Sequence, residues 1–159
     1  MKTAVDTNIL LDILIPGQPA AASSKNLLDY YLSRGRLIIC EVVFAELAAG
    51  FPVSRELDQF LRDTGIDLVP SSPEALFVAG SRWADYTGKK PEKRMRCGKC
   101  GCGLTVSCPQ CGAMPSKRLH VLADFIVGAH ALVHADVLLS RDLGIYKTYF
   151  NDLQVIGSL

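Results

Sequence analysis

Four carboxylates and four cysteines are the residues of this chain whose types and spacing could do chemistry. Asp6, Glu46, Asp124 and Asp142 lie far apart in sequence. Brought to one place, four acids repel one another unless cations hold them. An oxygen-rich cluster suits Mg²⁺ or Mn²⁺, which retain water and complete their shell with substrate phosphate. Such ions activate water and stabilise both oxygens of an in-line displacement at phosphorus. The cysteines sit in "CGKCGCGLTVSCPQCG", residues 97–112, which holds five of the chain's six. Cys97/Cys100 and Cys108/Cys111 form two C-x-x-C knuckles, each followed by glycine, with seven residues between them. Four thiolates give closed, tetrahedral Zn²⁺ coordination with no position for water, so this site is expected to be structural. Cys102 is surplus and could replace Cys100 in an alternative ligand set. Paired redox dithiols are the rival reading, disfavoured because both knuckles are complete.

Whether the acids meet depends on the elements that carry them. "KTAV" (Lys2–Val5) reads as a strand ending at Asp6, and "RLIIC" as a second. Helices are expected over Ala20–Gly35, over Glu41–Gly50, and from Ser54 to a stop at Gly65. "IDLVP" is a third strand, and a helix enters through Pro73. A further helix opens at Asp124, followed by the strands "DVLLS" and "LQVIG". Strands alternating with helices imply an α/β fold with a mostly parallel sheet covered on both faces. In such sheets, sites form at the carboxyl edge of the strands where strand order reverses. Asp6 and Asp142 follow strands, and Asp124 opens a helix that starts at the same edge. Glu46 lies about one and a half turns into the helix after the second strand, within reach of that edge. Glu41 is five residues earlier, roughly 140° around the helix, so the two cannot face one spot. Singly, each acid also has a plain structural reading: a cap for Asp6 or Asp124, a turn for Asp142, a solvated helix position for Glu46. Their convergence tips the balance.

The bulk properties bound the class. At 159 residues the chain suits one domain with a sizeable core. No apolar run approaches the roughly 18–20 residues that span a bilayer, and "NILLDILI" is broken by Asp12. No small-residue cleavage site follows the N-terminus, and paired cysteines suggest reduced thiolates, so a cytoplasmic protein is expected. Cys40 ends an apolar run and reads as a packing residue. The net charge of +1 hides an asymmetry: residues 82–118 carry nine Lys/Arg against two acids, the remainder eight against fourteen. Residues 88–118 are poor in periodic apolar positions and read as a basic, zinc-binding insertion in a domain spanning 1–159. Such a segment points to a polyanionic partner or to a solvated loop tethered by metal. Lys89, Lys90, Lys93, Arg94, Arg96, Lys99, Lys117 and Arg118 are its candidate RNA contacts.

"AVDTNILLDIL", "EVVFAELAAG", "LADFIVGAHALVHADVLLSRD" and "LGIYKTYFNDLQVIG" resemble, in order, the successive motifs of PIN-domain ribonucleases. The likeness is greatest to the VapC toxins of bacterial and archaeal toxin–antitoxin pairs. It spans nearly the whole chain except the cysteine insertion, which VapC-like chains generally lack. The resemblance implies a sheet in the order 3-2-1-4-5, with Asp6 and Asp142 on adjacent strands at the switch point. It carries catalysis and Mg²⁺ or Mn²⁺ binding onto Asp6, Glu46, Asp124 and Asp142. Ser140 is implied to orient a carboxylate or metal-bound water, and Asn8 to hydrogen-bond near Asp6. An endoribonuclease, a homodimer and a VapB-like antitoxin are implied as well. Two alternatives stand beside it: an rRNA-processing PIN nuclease with a zinc ribbon, and a non-catalytic zinc-ribbon module binding RNA or protein.

Three further features rank lower. His130 and His134, four apart, fall at roughly 240° and 280° on the helix wheel from Asp124 and are expected to pack rather than bind metal. Asp12 is expected to be peripheral. "YKTYF" (Tyr146–Phe150) could stack on bases, though core or interface packing is favoured.

Overall fold

A computed structural model describes residues 1–88 and 121–158, together with Gln110 and the backbone of Met95–Arg96 and Gly103–Leu104. Five short apolar runs make the sheet: β1 (Lys2–Val5), β2 (Arg36–Ile39), β3 (Ile66–Leu68), β6 (Val137–Leu139) and β7 (Val155–Ile156). All pair in parallel, in the order β3-β2-β1-β6-β7. Counted within this sheet alone, that is 3-2-1-4-5, as the sequence implied. A separate antiparallel pair joins β4 (Met95–Arg96) to β5 (Gly103–Leu104). Thr3, Ala4 and Val5 are all buried, as are Leu37, Ile38 and Ile39, and Val137, Leu138 and Leu139. Successive strand side chains point to opposite faces, so helices must cover both.

Those helices are α1 (Thr7–Leu14), α2 (Ala21–Leu32), α3 (Glu41–Ala48), α4 (Ser54–Thr64), α5 (Pro73–Gly88), α6 (Leu122–His134) and α7 (Leu143–Tyr149). Gly65 closes α4 at φ 66°, a left-handed conformation that glycine adopts without a Cβ penalty. Three features differ from the sequence expectation. α1 occupies "TNILLDIL", which has no polar face to betray it: Ile9, Leu10 and Asp12 are all buried. α7, at seven residues, is too short to display a helical period. α6 opens at Leu122 rather than Asp124, which puts Asp124 in its first turn, three residues after the cap Val121.

α5 and α6 pack side by side and are knitted to α7 by aromatic rings. Phe125 lies 5.4 Å from Trp83, 5.5 Å from Tyr86 and from Tyr149, and 6.1 Å from Phe150, centroid to centroid. Arg82 forks onto Asp152 at 2.9 and 2.7 Å and donates to the Tyr149 carbonyl at 2.6 Å. The aromatic rings of "YKTYF" therefore pack in or against the core, as favoured, while Lys147 and Thr148 are exposed. α6 approaches Phe150 so closely that a Cβ on Gly128 would sit 2.7 Å from the ring edge. A substitution here must displace a fully buried ring. Gly128→Val is expected to cost roughly 1–3 kcal/mol in urea unfolding, and a second change, Phe150→Leu, to recover part of that loss.

Candidate functional site

The register of the central strands builds the site. β1 lies at the switch point, with β2 on one side and β6 on the other. Val5 pairs with Leu139, and the Asp6 N–H donates to the Leu139 carbonyl at 2.9 Å. Asp6 and Ser140 are therefore the first residues past the sheet on adjacent strands, at its carboxyl edge. The Ser140 hydroxyl donates to Asp6 Oδ2 at 2.6 Å, and Asn8 Nδ2 donates to the same oxygen at 2.7 Å. Both roles implied for Asn8 and Ser140 match this geometry. Tyr146 adds its hydroxyl at 3.4 Å from α7.

Asp6 is only 9% exposed. Burial pushes its carboxyl up to about 6, the Asp124 and Glu46 charges push the same way, and the Ser140 and Thr7 hydrogen bonds oppose them. Burial also drives the Tyr146 phenol far above its usual range, reinforced by the charges of Asp6, Asp124 and Asp142. Asp6 and Tyr146 between them register all four acids.

Glu46, Asp124 and Asp142 each accept a hydrogen bond as well. Glu46, exposed on α3, accepts a hydrogen bond from the Thr7 hydroxyl at the start of α1. Asp124 Oδ2 accepts the Val121 N–H at 2.9 Å, so the capping role is real. Asp142 caps α7 by accepting the Gly144 N–H at 3.2 Å, while its own N–H donates to Ser140 Oγ at 3.0 Å. Asp6 stands at the cap position of α1 but makes no side-chain cap there.

The remaining sequence candidates separate cleanly. Glu41 turns away and accepts from the Ser71 backbone and hydroxyl at 2.8 and 3.0 Å. His130 is buried with Nε2 2.9 Å from the Val69 carbonyl, and His134 Nε2 accepts the Ser72 N–H at 3.2 Å. Both histidines pin α6 to the segment after β3, a packing role. Cys40 is buried as expected. Asp12 is not peripheral: it is 1% exposed, takes the Ser24 hydroxyl at 2.5 Å and pairs with Arg141 at 2.6 Å. An apolar-flanked acid in an unassigned helix gave no sign of this partner, 129 positions away in the "SRD" motif. Thr7 and Tyr146 were missed for a like reason, since neither residue type announces a site. Cys97, Cys100, Cys102, Cys108, Cys111, Lys89, Lys90, Lys93, Arg94, Lys99, Lys117 and Arg118 lie outside the described residues, and Arg96 is described by its backbone alone.

No protein-family model and no curated protein matches the chain. Solved structures do. A chain of VapBC2 from Rickettsia felis, solved bound to a DNA fragment from its promoter, superposes with TM-score 0.60 and 19% identity over 98% of both chains. VapBC-1 from nontypeable Haemophilus influenzae gives 0.59 and 16%, covering 98% of this chain and 97% of that one. Mycobacterium tuberculosis VapC20, a toxin that cleaves the sarcin-ricin loop, gives 0.53 and 11%, covering 92% and 94%. The chain has a VapC-like PIN fold. Among the described residues no helix is long and apolar enough to cross a membrane.

What this VapC-like edge can do follows from its donor set. All four acids offer hard oxygen ligands of the type Mg²⁺ and Mn²⁺ prefer. Burial first, and the Asp124 and Glu46 charges after it, disfavour the ionised Asp6 carboxyl, and a bound cation would offset both. Among the described residues no three His, Cys, Asp or Glu side chains form a ready ligand group by themselves. Mg²⁺ sites commonly use one or two carboxylates plus water and phosphate, so the residues fit such an ion.

The raised Asp6 carboxyl also makes a stability prediction. Between pH 3.8 and about 6 the native state binds a proton that the unfolded chain does not. Stability from this group is therefore fully present below about 4 and is lost as pH rises through 6. Its total is about 3 kcal/mol. In EDTA, Asp6→Asn, which keeps an acceptor for Ser140 and Asn8, is expected to raise urea stability at pH 7.5 relative to wild type. At pH 4 that advantage should vanish.

Proposed function

We propose that this chain is a metal-dependent endoribonuclease acting as the toxin of a VapBC-type pair. One observation supports the reading: Asp6 ends β1 at the switch point of a VapC-like fold and is hydrogen-bonded by Asn8 and Ser140, with Asp142 two residues beyond Ser140. Asp6, Glu46, Asp124 and Asp142 would hold Mg²⁺ or Mn²⁺. When bound, such an ion supplies water of lowered pKa and neutralises charge developing at phosphorus. The protein's own groups do the rest. Asn8 and Ser140 fix the Asp6 carboxylate, Thr7 fixes Glu46, and the Val121 and Gly144 amides fix Asp124 and Asp142. The Tyr146 phenol, held neutral by its surroundings, braces Asp6 without adding charge. The fold likeness to VapBC complexes supports a VapB-like antitoxin as partner; a homodimer working in the cytoplasm completes the reading.

The inserted segment completes the proposal. Cys97, Cys100, Cys108 and Cys111 bind one structural Zn²⁺, and Lys89, Lys90, Lys93, Arg94, Arg96, Lys99, Lys117 and Arg118 engage RNA phosphates. Support comes from the anchors: the segment leaves from the end of α5 and re-enters one turn before Asp124. A basic arm planted there would meet the RNA that the acids cut.

Purified, antitoxin-free protein incubated with total RNA and Mn²⁺ or Mg²⁺ is expected to give discrete cuts. EDTA should abolish them, and Asp6→Asn should reduce them at least a hundredfold. Intact RNA across both metals and several RNA classes would sink the nuclease reading. Separately, serine at Cys97 and Cys100 together should lower bound zinc from about one equivalent to near none and weaken RNA binding about tenfold. Unchanged zinc content would assign the metal elsewhere.

A further inference from the structure

Arg141 sits between two site residues, Ser140 and Asp142, and carries a cation into an otherwise acidic neighbourhood. In a nuclease such an arginine invites assignment as a phosphate ligand. Its contacts point elsewhere. Nη2 lies 2.6 Å from Asp12 Oδ1 and 3.2 Å from the Asn8 carbonyl. Asn8 and Asp12 are one helical turn apart on α1, so one planar guanidinium can span both. The Arg141 N–H also donates to Asn8 Oδ1 at 3.1 Å, while the other end of that amide holds Asp6 and, at 3.1 Å, Ser140.

Burial decides between the two assignments. Asp12 is 1% exposed, and its second oxygen is occupied by the Ser24 hydroxyl from α2. Swinging Arg141 out to a phosphate would leave a carboxylate uncompensated in the interior, which is strongly unfavourable. The arginine side chain itself is 45% exposed. Asp12, not solvent, therefore determines where Arg141 stays.

We propose that Arg141 is a positioning residue: clamped on Asp12 and the Asn8 carbonyl, it pins the Ser140–Asp142 turn to α1 and so sets Asp142 relative to Asp6. Its effect on cleavage rests on the nuclease reading above; its effect on the turn does not. The clamp links α2, α1 and the turn after β6 through Ser24, Asp12, Arg141 and Asn8. It adds no ligand and touches no substrate.

The test compares Arg141→Ala, Arg141→Lys, Asp12→Asn and the Asp12→Asn/Arg141→Ala double variant with wild type. Three readouts are taken: amide hydrogen exchange at Asp142 and Gly144, Mn²⁺ affinity by electron paramagnetic resonance, and kcat and KM on an RNA that wild type cuts. Asp12→Asn leaves no buried charge, and carries the test if Arg141→Ala does not fold. Arg141→Ala and Asp12→Asn are each expected to speed exchange at least tenfold, weaken Mn²⁺ binding and lower kcat about tenfold with KM little changed. The double variant should be no worse than Arg141→Ala, and Arg141→Lys should recover part of kcat. Unchanged exchange in folded Asp12→Asn and Arg141→Ala overturns the clamp. So does an Arg141→Ala whose KM alone rises while Asp12→Asn behaves as wild type, the pattern of a phosphate ligand. A wild-type protein that neither binds Mn²⁺ nor cuts RNA overturns the nuclease reading alone, and the exchange rates then judge the clamp.

Discussion

The pairing of Val5 with Leu139 is the constraint on which the rest of this molecule depends. It is one rung of a parallel ladder, but it decides which residues emerge together at the carboxyl edge. Because side chains alternate along a strand, slipping that register by one residue would swap the two buried faces of β6 and remove Ser140 from Asp6. In the observed register the Ser140 hydroxyl and the Asn8 amide converge on one oxygen of a carboxylate that burial disfavours. Asp6 keeps its charge near neutral pH only against desolvation and like charges, so its donors matter more to it than to an exposed acid.

Much of this was legible in the sequence, and for physical reasons. Parallel strands buried on both faces must be continuous apolar runs, and "TAV", "LII" and "VLL" stand out as such. Once the strands were placed, the edge rule drew Asp6, Glu46, Asp124 and Asp142 to one side. The errors have an equally definite origin. "TNILLDIL" is apolar all round because it packs on several sides, so helical periodicity has nothing to display. Asp12 then seemed a break in an apolar run, when it is a buried anion whose cation lies on a different element. Asp124 presents the opposite case. Its dull reading as a cap and its functional reading were weighed as rivals, yet the carboxylate takes the Val121 amide while its charge still reaches Asp6 and Tyr146.

The cysteine-bearing stretch, residues 89–120, joins two packed helices. It interrupts the chain between α5 and α6, two helices held together along their length by Trp83, Tyr86 and Phe125. That contact does not need a short turn. Lengthening a connection whose ends are already fixed costs little additional loop entropy. Many basic residues are concentrated there, while the Arg82 guanidinium is spent on Asp152 and the Tyr149 carbonyl.

The distribution of the four acids also has a temporal meaning. Residues 3–5 of β1 must find residues 137–139 of β6 before Asp6 and Ser140 can meet, so the decisive contact has a very long sequence separation. During synthesis the first strand, α3 and the inserted segment all precede the residues that complete the edge. A nascent chain therefore has no assembled acid cluster until Asp142 has emerged, and no early fragment can carry one. Late assembly of this edge is thus written into the topology of the sheet.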